Sequence, residues 1–361
     1  VFTKACQVVP EIASFAVDDG FTYGIPEGLQ LVVGSRVRVR VSGRRIRGFV
    51  TAILDDVPDK KLVAVDGVVG DIPSFDSEDL GFLRWCATHY VSPVSTILKR
   101  TVPPNVPKRE AQTAPEKPRP ADHTVRSVVP VGSDAAAVDE ALAGIDPHDS
   151  AMVVVPSVVE VEEIAAKLTS TFGARVTTAH SDLAAKEVTA AWVKTAAVAG
   201  TIIIGTREVV LWPMPGLTRA IVVQDSRRVM KSPATPTLGV REILHRRARQ
   251  HSVSLDVISP LPSLEVLSWA TEESLPTGRC WPLVEVADRS EQPPTGSSIL
   301  DRTRGAITSV VNSSGRVFVL VGRRGYARAF RCATCGELRR CARCASAVGR
   351  DSSCTRCGHA N

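Results

Sequence analysis

The sequence predicts an α/β protein in three parts: a β-rich N-terminal domain, a doubly wound lobe and a small Cys-rich module. Three observations carry this. Apolar and basic residues alternate strictly through Gly34-Ser-Arg36-Val-Arg38-Val-Arg40, the period of a half-buried strand in a small barrel-like sheet. Short continuous apolar runs, Ala151-Met-Val-Val-Val155, Thr201-Ile-Ile-Ile204, Ala220-Ile-Val-Val223 and Ser254-Leu-Asp-Val-Ile258, are of the type found in parallel sheets covered on both faces. Three CxxC pairs, Cys332/Cys335, Cys341/Cys344 and Cys354/Cys357, lie within 26 residues.

Taken in order, Ala16 to Ile53 reads as short strands and turns. Phe21-Thr-Tyr23 leads to a turn at Pro26-Glu-Gly28, and the alternating strand puts Val37, Val39 and Val41 on a core face and Arg36, Arg38 and Arg40 on the other. After a Ser42-Gly43 turn come Arg44, Arg45 and Arg47, giving six Arg and no acid in twelve residues. Like charge at that density is unfavourable without an anionic partner, so nucleic-acid phosphate is the expected ligand. Residues 76–99 read as helical, with Leu80, Phe82, Leu83, Trp85 and Cys86 inward. Six prolines between Pro103 and Pro120 mark an extended linker over 103–122, which limits the first domain to residues 1–102.

The lobe occupies 123–285, with a strand expected over Arg126–Val131, a helix over Asp134–Ala143 and an amphipathic helix over Val158–Phe172. A last strand, Arg316–Val321, leads through Gly322-Arg-Arg-Gly-Tyr326 into the first CxxC pair. Trp85, Trp192, Trp212, Trp269 and Trp281 sit among apolar neighbours and are expected in cores. A second basic region, Arg227, Arg228, Lys231, Arg241, Arg246, Arg247 and Arg249, reads either as a solvated helix face or as a DNA-backbone surface.

CxxC spacing places two thiolates on one tetrahedral ion, so zinc is the expected cofactor and Cys332, Cys335, Cys341, Cys344, Cys354 and Cys357 the expected ligands. No secretory leader is expected, and Cys6, Cys86 and Cys280 sit alone, which argues against a disulfide framework. Two pairs close one site and the third is left needing partners. Residues 321–361 carry nine Arg, including Arg323 and Arg324, against Glu337 and Asp351, a net +7 where the whole chain has +6. Such a module suits phosphates. With only ten Lys among 44 basic residues, the side chains favour bidentate contacts. No apolar run approaches the ~18 residues of a membrane span, and a cytoplasmic monomer is expected.

Order of parts and motifs together resemble the PriA family of primosomal replication-restart proteins, over nearly all of the chain. Phe21-Thr-Tyr-Gly-Ile-Pro-Glu-Gly28 followed by Gly34-Ser-Arg-Val-Arg-Val is similar to the family's N-terminal domain, which holds the 3′ end of a nascent DNA strand. Trp85-Cys-Ala-Thr-His-Tyr-Val-Ser-Pro93 resembles its closing helix. Ile204-Gly-Thr-Arg207 and Pro262-Ser-Leu-Glu-Val-Leu267 fall where the first helicase lobe has its GTR and SATP-type segments. Gly322-Arg-Arg-Gly-Tyr-Ala327 resembles the entry to the second lobe, whose insertion holds two zinc ions through four CxxC pairs. The resemblance therefore implies that 286–331 begins a second helicase-like lobe and that 332–361 is an incomplete zinc module. It also implies that forked or single-stranded DNA, single-stranded DNA-binding protein and the proteins that load the replicative helicase are partners. Phe21 and Tyr23 lie in a polar turn, where stacking on a terminal base is expected.

Departures from the family bear on activity. Helicase chemistry needs backbone N–H groups and a Lys on the phosphates, and none of the ten Lys follows a Gly. In place of the loop stand Gly132, Ser133, Asp134, Ala135 and Ala136, with Ala135 at the lysine position. Of the acidic cluster that would hold the metal, Asp225 alone remains. The expectation is a fork-binding protein that promotes primosome assembly with no catalytic residues of its own. An active ATP-dependent 3′ to 5′ helicase is the runner-up, and a zinc-ribbon protein of transcription or RNA handling the third class. Thr22 replaces a common aspartate that contacts the strand's terminal sugar. Cys341, Cys344, Cys354 and Cys357 close one site in one assignment, and Cys332 and Cys335 join Cys354 and Cys357 in the other. Most of the second lobe and the C-terminal domain are missing, which implies a fragment of a longer chain.

Overall fold

The computed structural model describes residues 2–57, 61–104, 124–275, 284–286, 299–320, 330, 332–348, 353–354 and 356–360. They belong to two compact units, Val1–Cys280 and Trp281–Asn361. The expected motif Gly322–Ala327, with Arg323 and Arg324, lies outside the described residues, as do Trp281 and most of the linker.

In the first unit, β1 (Ala5–Pro10), β2 (Phe21–Gly24), β3 (Arg36–Val41), β4 (Arg44–Leu54) and β5 (Gly67–Val68) form an antiparallel sheet in the order β2-β1-β4-β3-β5. Alternation sends Val8, Tyr23, Val37, Val39 and Val50 to one core. Val9 and Phe49 point the other way, against α1 (Ser77–His89) and α2 (Val94–Leu98). Asp76 starts α1, its Oδ1 accepting from the N–H groups of Glu78 and Asp79 at 2.9 Å each. Leu80, Phe82, Leu83 and Cys86 are buried as expected, and Trp85 packs half-buried on the same core. Gly34 permits the approach of this segment: at φ +87°, a Cβ there would lie 1.8 Å from the Phe75 carbonyl oxygen.

The lobe runs β6 (Val125–Val128), α3 (Asp134–Ala141), β7 (Ser150–Val154), α4 (Val158–Phe172), β8 (Val176–Ala179), α5 (Ala185–Ala197), β9 (Ile202–Gly205), β10 (Leu217–Val223), α6 (Val240–His251), β11 (Ser254–Ile258), α7 (Leu264–Trp269) and β12 (Glu272–Ser274). Its seven strands are all parallel, in the order β12-β6-β11-β10-β7-β9-β8. The expected strand Arg126–Val131 stops at Val128, before Pro130, which has no N–H to give a ladder. Asp256 is tolerated inside an apolar strand because Arg126, its cross-strand neighbour, donates to both its oxygens at 2.8 and 3.0 Å.

First domain and lobe share one core. Trp192 of α5, fully buried, donates its Nε1–H to the carbonyl of Thr101 at 2.7 Å. The Tyr90 hydroxyl accepts from the Gly239 N–H at 3.0 Å, and His251 lies 3.0 Å from Glu78. These contacts tie the helices of the first domain to α5 and α6 of the lobe.

The second unit carries α8 (Asp301–Asn312) and the CxxC segments. The strand expected over Arg316–Val321 is a correction: residues 316–320 are irregular and exposed. They join no ladder among the described residues, and an apolar run without a partner strand does not fix an extended element.

Candidate nucleic-acid interface, nucleotide crevice and metal centre

The β3–β4 hairpin builds the basic surface. Arg38 pairs across it with Arg47 and Arg40 with Arg45, and these four with Arg44 are exposed. Asp66 is their counter-charge, 3.5 Å from Arg40 and 3.0 Å from Arg45. Arg36, expected on the same outer face, is only 3% exposed. The helices cover that end of the face, and its guanidinium lies over Phe49 and pairs with Glu11 at 2.7 Å. Phe21 is 41% exposed, at the free edge of the sheet. Tyr23, expected in a polar turn and free to stack, is instead 4% exposed in the barrel core, its hydroxyl donating to the Arg40 carbonyl at 3.0 Å. Phe21 and Tyr23 share one face of β2, but Tyr23 sits inside the strand opposite the buried Cys6 and is covered by that core, whereas Phe21 is the first residue of the edge strand.

At the carboxyl ends of the lobe strands, where a doubly wound sheet places its ligand crevice, the side chains bind one another. Gly132 makes the turn after β6 with φ +97°. Ser133 caps α3, its Oγ accepting from the Ala136 N–H at 3.2 Å. Asp134 puts a carboxylate in the first helical turn, where a phosphate would otherwise benefit from the helix dipole, and accepts from Gln224 Nε2 at 2.5 Å. Ala135 is buried in the lobe core, so its Cβ points away from the crevice.

Asp225, after β10, has a fully covered side chain. Its Oδ2 takes a hydrogen bond from Ser263 at 2.6 Å and lies 3.2 Å from Arg241. Arg241 also reaches Glu242 at 3.0 Å and Glu265 at 3.2 Å. Burial works against its charge, but Glu242, Asp225 and Glu265 raise its pKa above the ordinary value. A guanidinium thus neutralises the covered carboxylate of Asp225.

The second basic region is divided between buried, paired and exposed side chains. Arg227 pairs with Glu160, and Arg247 is buried, donating to the carbonyl of Trp212 at 3.1 Å. Arg246 lies over the Trp85 ring at 5.3 Å. Arg228, Lys231 and Arg249 stand exposed.

The three CxxC segments share one backbone pattern. In each, the first Cys N–H donates to the carbonyl five residues on, Glu337, Ser346 or His359, at 2.7–2.9 Å. The residue four on, Gly336, Ala345 or Gly358, has φ between 58° and 73° and donates to the first Cys carbonyl. Cys341, Cys344, Cys354 and Cys357 come together with every Sγ within 4.8 Å of the others. Cys341–Cys357 and Cys344–Cys354 are 3.7 and 3.6 Å apart, close to the ~3.8 Å edge of a tetrahedron with 2.3 Å zinc–sulfur bonds. The Ser346 hydroxyl, with the N–H groups of Cys357 and Arg356, lowers the Cys354 thiol to about 5, while Cys357, against the backbone of His359, is pushed up to about 12 by burial and the three neighbouring sulfurs, so the four thiols share their protons as one group. Of the two assignments left open by spacing, the structure selects this one. Cys332 and Cys335 are exposed. Burial pushes Cys6 and Cys86 up to about 12, which makes them inert core residues.

Residues 7–103 match the family described as the 3′DNA-binding domain (3′BD) of PriA. Replication restart protein PriA of Synechocystis sp. is 27% identical over 212 residues, covering 54% of this chain and 25% of that protein. Its namesake in Bacillus subtilis is 22% identical over 224 residues, covering 58% and 28%. In Treponema pallidum the match is 22% over 380 residues, covering 91% and 56%. The chain is a divergent PriA-like protein. It spans about a quarter of the length of the first two PriA relatives and 56% of the third.

In this PriA-like chain, sequence reasoning missed Asp66 and Ser346, and it named Arg241 only within the second basic region and Ser263 only within the Pro262–Leu267 segment, without their tie to Asp225. Asp66 and Arg241 act across sequence gaps of 16 residues or more, so no local spacing reveals them. Ser346 had a usable signal: it follows the second CxxC pair by two positions, as Glu337 and His359 follow the other two.

Proposed function

We propose that the protein binds abandoned or stalled replication forks and promotes primosome assembly and reloading of the replicative helicase, without ATP turnover of its own. The observation that carries this is the crevice after β6 and β10: Asp134 stands where phosphates would lie and Arg241 beside the one remaining metal-type carboxylate. Nucleotide and magnesium would have to displace both. Work is then done by binding. Arg38, Arg40, Arg44, Arg45 and Arg47 neutralise phosphates and release counterions; Arg323 and Arg324 extend this role to the second unit. Phe21 meets the strand end, and Thr22 in place of a carboxylate relaxes selectivity for the terminal sugar. Zinc is the ion we assign to Cys341, Cys344, Cys354 and Cys357, where it would fix the loops that carry the module's arginines. Single-stranded DNA-binding protein and helicase-loading proteins are the partners of this reading, in the cytoplasm, with the chain a monomer.

The test is phosphate release with forked DNA and magnesium–ATP, run beside DNA-binding anisotropy across a salt series. We expect release at the no-enzyme blank and tight, nucleotide-independent fork binding that weakens steeply with salt. Turnover above the blank establishes the active 3′ to 5′ helicase instead, and equal affinity for RNA hairpins favours an RNA-handling role.

A further inference from the structure

We propose that a groove in the first unit, between the segment leading into α1 and the adjoining edge of the lobe, docks a partner-protein segment in which an apolar anchor is flanked by Lys or Arg. The groove has a volume of about 480 Å³ and is walled by Val32, Val33, Ile72, Phe75, Ala197 and Pro215. Val32 is 51% exposed there, an apolar side chain left to solvent at the mouth. A volume of that size takes one or two large side chains.

Charge decides what flanks the anchor. The charged residues lining the groove are all acidic, Asp71, Asp76 and Asp79, in a chain whose net charge is +6. Facing Asp79 from α6 are His251, 3.6 Å away, and Arg247, whose Nη1 donates to the Val210 and Trp212 carbonyls. Asp71 at the rim is exposed. Phosphate and acidic peptides are therefore repelled, and a cationic segment is attracted.

The inference does not depend on the DNA surface or on the ATP crevice, which are built from other residues.

The test uses the full chain and two fluorescein-labelled nonapeptides, one with a Leu-Phe centre flanked by Arg pairs and one with Glu in place of each Arg. Anisotropy should show the cationic peptide binding at least ~10-fold more tightly. Asp71→Lys, at an exposed position, should weaken it ~5-fold, and Ala197→Trp, which fills the groove, ~10-fold. Fork-DNA binding by the same variants should be unchanged, which reports that they are folded. Equal binding of the two peptides, or wild-type binding by Asp71→Lys, overturns the proposal while leaving the reading of the DNA surface intact. If Ala197→Trp does not fold, Asp71→Lys and the peptide pair decide the matter alone.

Discussion

Arg36 and Arg38 stand two residues apart on one face of β3, yet their environments differ completely. Arg36 is covered, stacked over Phe49 and paired with a nearly buried Glu11. Removing one partner of such a pair leaves a desolvated charge behind, which costs about 3–5 kcal/mol. Arg36→Ala should therefore lower the urea midpoint strongly, and the molecules that remain folded should keep the wild-type salt dependence of DNA binding. Arg38→Ala should do the opposite: stability within ~0.5 kcal/mol of wild type, and a slope of log affinity against log salt shallower by about 1. If Arg36→Ala proved stable and DNA-deficient, the outward-facing reading of that residue would be restored. Tyr23 makes the same point about single residues. A polar-looking sequence neighbourhood did not keep it at the surface, because its place opposite the buried Cys6 closes it into the core.

At the scale of elements, the period of the apolar pattern was enough to place much of the lobe. α4 and β11 run over the residues the pattern marks, Val158–Phe172 and Ser254–Ile258, since each buries one continuous stripe or run. α6 was hidden by its charge: Arg246, Arg247 and Arg249 read as a basic patch, though Ile243, Leu244 and Ala248 form its buried side and Arg247 goes inward with its hydrogen bonds satisfied by carbonyls. The candidate site was legible where chemistry fixes spacing, as in the CxxC pairs, and not where partners meet across the fold, as Asp225 meets Arg241. The shared CxxC backbone yields a further prediction. Gly336 and Gly358 occupy the left-handed position in two segments, but Ala345 holds it in the third at φ +58°. A Cβ there is unfavourable by roughly 1–2 kcal/mol, against a Gly entropy cost of about 0.5–1. Ala345→Gly should therefore slow the loss of bound zinc to a chelator, measured by dye-coupled release. Cys354→Ser should abolish binding at that cluster, leaving at least one equivalent less metal per chain. Faster release from Ala345→Gly would show that the turn carries no strain.

The first domain and the lobe lie in one compact unit although a proline-rich stretch joins them in sequence. A single buried cluster runs from Val9 and Phe49 through Phe82, Leu83 and Ile97 to Trp192, Ile203, Trp212 and Leu244, and the polar ties at Thr101, Gly239 and Glu78 lie along the same seam. Burying an apolar side chain contributes about 1.5–3 kcal/mol, so a core distributed across both parts links their stabilities. We expect this unit to unfold in one transition, with near-ultraviolet and far-ultraviolet signals superimposing during urea titration of the full chain. Phe49→Leu in the first domain and Ile203→Val in the lobe should each move that transition as a whole. Tyr90→Phe should move it too, by about 1–3 kcal/mol, because the Gly239 N–H loses its acceptor at a half-buried position. Two separable transitions, each sensitive to only one of the core substitutions, would show that the parts fold independently. A basic hairpin mounted rigidly on the lobe holds its arginines in a fixed relation to the exposed Arg228 and Lys231, whereas a loosely tethered one does not. Fork binding that weakens in Tyr90→Phe before any unfolding is detected would therefore mark the seam as part of the DNA-reading surface's geometry.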